Sequence, residues 1–188
     1  MRSVADPTNT AVDTGHVMVE TDRLVMRELV ESDVEHMFRL DSDPRVHEYL
    51  GKNPVARIEQ SVAIVARVRE QYRLYGIGRW ATIEKATGDF IGWSGLRLVP
   101  ETINGRTDFI DLGYRFMPAY WGKGYASETA IASVRYGFDV MNLDLICGHA
   151  DRNNLGSRRV LEKAGLRHTG SFIYDLQPTE WYELHRPG

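Results

Sequence analysis

Tyr120-Trp121-Gly122-Lys123-Gly124-Tyr125-Ala126, preceded by the extended segment Phe109 to Phe116 and followed by a helical pattern, is the stretch on which the fold turns. Two glycines around one basic residue let the backbone turn tightly, so that successive N–H groups converge on an anion such as phosphate. The helix that follows aims its unpaired first amides and the positive end of its dipole at the same point. Short glycine turns before helices are also plain punctuation, so two familiar phosphate loops serve as the test. A Walker loop needs four residues between its first Gly and a Gly-Lys-Ser/Thr, and nothing here fits. A dinucleotide fingerprint needs a third Gly at position 127, which is Ser127. That fingerprint also opens a βαβ unit, whereas several strand-like segments precede this one.

Working outward from the loop, Val17 to Leu29 reads as the first strand, and Ser32-Asp33-Val34-Glu35 has capping-box spacing that opens a short helix to about Leu40. Asn53-Pro54 signals a second helix, with Ile58, Val62, Val65 and Tyr72 at helical spacing to about Tyr75. Arg79 to Lys85, a turn at Thr87-Gly88, and Phe90 to Val99 read as a hairpin. Asn104-Gly105 turns the chain into the strand Thr107 to Phe116. After the glycine loop, Ala130, Val134, Phe138 and Met141 form the apolar stripe of a helix. Leu143 to Ala150 is a strand, and Asn154 caps a helix with Val160, Leu161 and Ala164 inward, ended by Gly165. His168 to Tyr174 and Trp181 to His185 are terminal strands. The order implies an α+β domain with a mixed sheet.

The chain has 188 residues, 43% apolar and 26% charged, which suits one domain, 16–188, behind a loose polar tail over 1–15. The formal charge of −3 argues against nucleic acid as a partner and is compatible with an amine substrate. The single cysteine, Cys147, rules out an internal disulfide and sits in an apolar run, where a buried strand residue is the simplest reading. No stretch reaches the ~18 apolar residues of a membrane span, and the start lacks the apolar core of a signal peptide, so a cytoplasmic location with no membrane association is the default.

Asn154-Leu155-Gly156-Ser157 and Val160-Leu161-Glu162-Lys163-Ala164-Gly165-Leu166 follow the glycine loop. Together these segments resemble the GNAT superfamily of acyl-CoA N-acyltransferases, and more narrowly its ribosomal-protein N-acetyltransferase, RimJ/RimL-like, branch. Thr21-Asp22-Arg23-Leu24 with Arg27, Phe90-Ile91-Gly92-Trp93-Ser94-Gly95-Leu96, and Asp111-Leu112-Gly113-Tyr114 match in the same order, so the likeness spans Val17 to His185. The resemblance implies a splayed, mixed, mostly antiparallel sheet of about six to seven strands flanked by about four helices. It implies acetyl-CoA in the V between the splayed strands, no metal, and a small-molecule or peptide amine as acceptor, and it leaves room for a homodimer. Cofactor contacts would come from Gly122, Lys123, Gly124, Tyr125 and Ala126 to the pyrophosphate and from the strand edge at Tyr114, Arg115 and Phe116 to the pantetheine amides, with Asn154 and Ser157 beside the arm.

Ser157 is either a helix-turn serine or the proton donor to the departing thiolate. Arg158 and Arg159 oppose the helix dipole, which a cofactor phosphate or Glu162 would offset. Asp111 shares a strand face with Phe109 and Gly113; it is either a solvated carboxylate or a base whose pKa partial burial raises, with His149 and Glu84 as alternatives. Phe38, Tyr49 and Trp93 are core or rim by default, and the resemblance places them along the acceptor pocket. The implied reaction is direct acetyl transfer to a primary amine. A protein α-amine titrates at ~7.7–8.0 and needs little help, whereas a lysine-like amine near ~10.4 asks about 4 kcal/mol of a base. With no compelling base in the sequence, an α-amine such as a protein N-terminus, or ordered water acting as base, is favoured. A small-molecule antibiotic or polyamine acceptor, and a non-catalytic acyl-CoA-binding module, are the rivals.

Overall fold

In the computed structural model, which describes residues 13–188, the strand expected over Val17 to Leu29 is a hairpin. β1 (Val17–Glu20) turns into the antiparallel β2 (Leu24–Glu28) because Thr21 Oγ1 accepts from the Leu24 amide at 3.0 Å, a local bond that interrupts the extended run. The tail expected over 1–15 lies outside the described residues except for Asp13 to Gly15, where Asp13 meets Arg69 at 3.3 Å.

α1 (Val34–Asp41) starts where the capping-box spacing predicts, by a different bond. Asp33 accepts from the Val30 amide at 2.9 Å and takes both guanidinium nitrogens of Arg27, at 2.7 and 2.8 Å, so the helix start is pinned to β2. α2 (Ile58–Tyr75) starts later than Asn53-Pro54 suggests, because Gln60 Oε1 accepts from the Ala56 and Arg57 amides and the Val55 amide donates to the Asp41 carbonyl. The remaining elements follow the pattern: β3 (Trp80–Glu84), β4 (Phe90–Val99), β5 (Phe109–Phe116), α3 (Tyr125–Asp139), β6 (Leu145–Asp151), α4 (Leu155–Lys163), β7 (Arg167–Tyr174) and β8 (Gln177–His185). β8 begins before Trp181 because Asp175 and Leu176 turn with positive φ, matching the hairpin's twist and extending its ladder.

The eight strands form one sheet in the order β1-β2-β3-β4-β5-β6-β8-β7, one or two strands more than the sequence suggested. α3 and α4 cover one face, packing Ala130, Val134, Phe138 and Leu161 on Leu96, Leu112, Ile146 and Tyr182. α1 and α2 cover part of the other with Met37, Leu40, Val65 and Val68 on Ala81 and Phe90. Each fully buried Val, Leu, Ile, Met or Phe among them contributes about 1.5–3 kcal/mol, so the two layers lock the sheet from both sides.

Two features at the centre position the site. Among the described residues β5 and β6 are the one parallel pair, and their register consists of Asp111 against Cys147, beyond which the strands diverge. Beside that junction Asp111 is buried, and its carboxylate takes Arg79, which lies across Gly95 and Gly113. A side chain at 113 would collide with the guanidinium, 2.5 Å from the Cβ position, so only glycine leaves the trough open. Arg79 also donates to the carbonyls of Gly95 and Asp111, which ties β3, β4 and β5 together.

Removing one partner of this buried pair strands the other charge, so Asp111→Leu should cost about 3–5 kcal/mol in urea denaturation, and Arg79→Met combined with it should restore much of the loss. Burial alone would push the Asp111 carboxyl up, but Arg79, His149 and Arg97 outweigh it and hold it down at about 2. Its contribution is therefore complete above about pH 4, the unfolded value, and is lost as pH falls toward 2; acid titrations of wild type and the double variant should diverge over that window.

Candidate active site

The register of β4 and β5 decides which backbone groups enter the cleft. The Met117 amide donates to the Ile91 carbonyl, and the same register continues through Trp93 and Arg115, Gly95 and Gly113, and Arg97 and Asp111 as the hydrogen-bonded pairs. Leu112, Tyr114 and Phe116 therefore turn their amides toward β6. Leu112 lies at the junction, while at Tyr114 and Phe116 the neighbouring strand has already diverged. The Phe116 carbonyl is taken by the Trp121 indole at 2.7 Å, which leaves its amide and both groups of Tyr114 facing the opening. Arg115, expected among the edge contacts, has its backbone turned to β4 instead, because it is the hydrogen-bonded partner of Trp93.

At the wide end of the opening the glycine loop enters α3. Gly122 and Gly124 have φ of 75° and 83°, a left-handed conformation that only glycine adopts without strain, and Gly124 is the N-cap of α3. Residues 121–124 are exposed, so the loop that leads into α3 faces solvent, while Tyr125 at the helix start is buried. The β1–β2 turn braces the loop: Arg23 donates to the Lys123 carbonyl at 3.0 Å and to Glu128 at 2.7 Å, and stacks over Tyr125 at 4.4 Å. Glu128, in the first turn of α3, also accepts from Thr21 Oγ1 at 2.5 Å, and an acidic residue there suits the dipole. Lys123 Nζ lies 4.8 Å over the Tyr120 ring.

On the face shared with α3 and α4, Asn154 caps α4 by accepting from the Ser157 amide at 3.0 Å. Ser157 meets Tyr114, whose hydroxyl donates to the Ser157 carbonyl at 2.7 Å and lies 3.0 Å from Ser157 Oγ. Since the phenol has one proton and the carbonyl takes it, Oγ donates at the second contact. Burial pushes the Tyr114 phenol upward in pKa, so it remains protonated. This pairing of Tyr114 with Ser157 across two elements was not visible in sequence. Arg158 donates to the Tyr182 hydroxyl at 3.0 Å and to the Arg152 carbonyl at 3.2 Å, and the Tyr182 bond first, with the charges of Glu180 and Glu162 behind it, favours its cation.

The opposite face carries the other candidates. Asp111 is neither solvated nor a base with a raised pKa: it is enclosed, paired with Arg79, and held ionised. A carboxylate that binds its negative charge so firmly is a poor proton acceptor near neutrality. Glu84, the other carboxylate considered, is held down by hydrogen bonds from Tyr125 first and Thr87 second, on the far side of the loop. His149 points its Nδ1 at Asp111 Oδ1, 3.4 Å away, and its ring stacks on Trp181 at 6.0 Å. Trp93 is flanked by the guanidinium groups of Arg79 and Arg115, at 5.5 and 5.1 Å. Arg115 also reaches Asp41 at the end of α1, 2.6 Å away. Phe38 is half-buried one turn before Asp41, and Tyr49 is exposed in the α1–α2 loop, its phenol pushed up by the charge of Glu48 first and, least, by Asp151. Cys147 lies under the junction with its thiol pushed up to about 12 by burial, which removes it as a nucleophile.

A splayed parallel pair, an edge with free amides and a glycine loop at a helix N-terminus form a cleft suited to a long ligand with amides and a pyrophosphate. Residues 23–167 match the acetyltransferase (GNAT) domain family. The chain is 32% identical over 189 aligned positions to the FsC-acetyl coenzyme A-N(2)-transacetylase of Aspergillus fumigatus, covering 90% of this chain and 80% of that one. Its fold superposes on a GNAT-family acetyltransferase from Bacillus anthracis with TM-score 0.74 and 25% identity, over 89% of this chain and 97% of the other. It also superposes on the ribosomal-protein-S5-alanine acetyltransferase from Vibrio fischeri with TM-score 0.71 and 16% identity, over 89% and 95%. Family model, relative and superposed structure agree, and the chain belongs to the GNAT family of N-acetyltransferases.

Proposed function

We propose that this N-acetyltransferase moves acetyl from acetyl-CoA directly to a primary amine of the α-amine type, on a small molecule or a peptide N-terminus, and that it stands with the RimJ/RimL-like branch. The observation that carries the reading is the divergence of β5 and β6 after a single registered pair, beside a loop whose two glycines hold left-handed φ. Bound there, acetyl-CoA supplies an activated acyl group as a thioester. The amides of Gly122, Lys123, Gly124, Tyr125 and Ala126 hold the pyrophosphate, and the free groups of Tyr114 pair with the pantetheine arm in β-like fashion. The Phe116 amide polarises the acyl carbonyl. Ser157 Oγ holds a proton for the departing sulfur, and Tyr114 accepts from Oγ until that proton is needed. Asn154 fixes the start of α4 and with it the position of Ser157.

Two observations bear on the acceptor. The buried carboxylates on its face, Asp41 and Asp111, are each neutralised by an arginine, so neither offers an open charge to a polyamine. Gly51 in the α1–α2 loop comes within contact of Asp175 at the β7–β8 turn, 3.0 Å from a Cβ built at position 51, so the entrance is narrow and favours a compact amine or a chain end. The related Aspergillus protein is named for transfer to an N(2) nitrogen, which is consistent with an amine acceptor of this kind. Trp93, Tyr49 and Phe38 line the approach, and the enzyme acts as a soluble cytoplasmic protein.

Replacing Gly124 with Val removes the left-handed turn and fills the space a phosphate needs, so acetyl-CoA affinity by calorimetry should fall about 10-fold or more. A variant with wild-type melting behaviour and wild-type affinity would take the pyrophosphate away from this loop. Ser157→Ala should lower kcat about 100-fold in a free-thiol assay while leaving acetyl-CoA affinity nearly unchanged, because the donated proton matters chiefly in the transition state. Tyr114→Phe should lower kcat less, and the double variant should lose little beyond Ser157→Ala, since the two hydroxyls act through one proton.

A further inference from the structure

His149 and Asp111 carry more chemistry than the fold requires. Asp111 Oδ2 is engaged by Arg79, with Arg97 behind it at 3.9 Å, yet Oδ1 is buried and has no hydrogen-bond partner. His149 Nδ1 is likewise buried and unpartnered, and it faces that oxygen from 3.4 Å. Two complementary atoms, each without another partner, satisfy one another when the imidazole carries its proton on Nδ1. That tautomer leaves Nε2 as a lone-pair acceptor. Nε2 makes no hydrogen bond among the described residues, and the side chain is 19% exposed, so Nε2 opens to solvent on the acceptor face.

The placement is as specific as the pairing. His149 lies two residues beyond Cys147, the junction residue of β6, so it stands at the vertex of the opening. The register Cys147 to Asp111 puts it on the face opposite Tyr114 and Ser157. Its ring is fixed by stacking on Trp181 and by edge contacts with Phe172 and Tyr174 at 6.4 and 5.3 Å. The groups facing it are Asp111 from β5, with Arg79 and Arg97 beyond, the phenol of Tyr174 from β7, and the indole of Trp181 from β8, whose N–H is held by Glu183. On its own strand Asp151 follows at the cleft end, accepting from the Asn153 amide, and the protonated Cys147 precedes it.

We infer that His149 is the general base of the acetyl transfer, taking the acceptor's proton at Nε2, and that Asp111 is a positioning residue that sets its tautomer and stabilises the imidazolium. The inference rests on the acetyl-transfer reading above and adds its proton acceptor. As the acceptor nitrogen bonds to the acyl carbon, the carbon–sulfur bond breaks with its electron pair on sulfur. The proton lost by nitrogen goes to His149 Nε2, the sulfur receives the one held by Ser157 Oγ, and Oγ takes a replacement proton from solvent. Proton removal and proton donation thus occur on opposite faces of the sheet, separated by the splayed strands, and His149 returns its proton to solvent. Arg79 acts one step further out: by fixing Oδ2 it leaves Oδ1 as the only oxygen free for the histidine.

The test is a free-thiol assay with acetyl-CoA over amines of differing basicity: glycine amide, a peptide with a free N-terminus, and spermidine. His149→Gln should bind acetyl-CoA as wild type does, melt at the same temperature, and lose about 100-fold or more in kcat on the most basic accepted amine, with a smaller loss on the least basic. On the basic amine, log(kcat/KM) against pH should lose about one unit of slope on its acid side, because one fewer proton must leave. His149→Ala should regain turnover when imidazole is added, a response that a purely structural histidine would not give. Asp111→Asn, where it folds, should lower kcat on the basic amine while leaving KM for acetyl-CoA unchanged, since the imidazolium loses its counter-charge; His149→Gln keeps the test open where it does not. Wild-type turnover and slope in His149→Gln, with acetyl-CoA still bound, overturns the histidine and leaves the acetyl-transfer reading standing. Absence of thiol release by the wild type on every amine overturns that reading and the histidine with it.

Discussion

One bridge organises this molecule. Where Asp111 meets Cys147 the parallel strands β5 and β6 are joined, and beyond it they separate, so the sheet is continuous at one end and split at the other. A split sheet is costly, since it exposes amides and carbonyls that a neighbouring strand would satisfy. The cost is contained by what surrounds the gap. α3 and α4 cover one face with their apolar stripes, and Trp121 caps one of the exposed carbonyls. The remaining free edge groups are the ones a ligand rich in amides can use.

The charged groups around the bridge show why position matters more than type. Asp111 and Arg79 are both buried, so neither could be tolerated alone, and together they hold β3, β4 and β5 at one fixed spacing. The same pairing disqualifies Asp111 as a proton acceptor and hands it a different task. With one oxygen held by arginine, the other presents a negative charge to His149 and nothing else. Asp41 and Arg115 repeat the arrangement at the wall formed by α1 and Trp93. In both pairs an arginine holds a buried carboxylate in one place.

The glycine loop depends on a segment far from it in sequence. Arg23 and Thr21, in the β1–β2 turn, bind Glu128 and the Lys123 carbonyl, so the first strands of the chain support the turn that precedes α3. The bracing groups leave the loop's own amides free. The division of the cleft into two faces follows from the pleat: Tyr114 and Ser157 fall on one side, Asp111 and His149 on the other, because neighbouring strand residues alternate.

Nearly all of the architecture was legible in sequence, because it rests on local signals: alternating apolar residues for the strands, the Asn154 cap, the stripe of α3, and glycines where left-handed turns are needed. The misplacements came where a side chain intervened locally, as Thr21 did in breaking the first strand and Gln60 in delaying α2. Residue types also marked the glycine loop and the Asn154 to Ser157 turn as places of interest. The sequence alone could not assign their partners. Arg79 and Asp111 are 32 residues apart, as Tyr114 and Ser157 are 43 apart, and each pair is brought together by strand register and helix packing. Whether Asp111 was solvated, basic or ion-paired depended on which side chains the sheet placed around it. Burial and charge are properties of that three-dimensional neighbourhood, and only the tertiary structure fixes them.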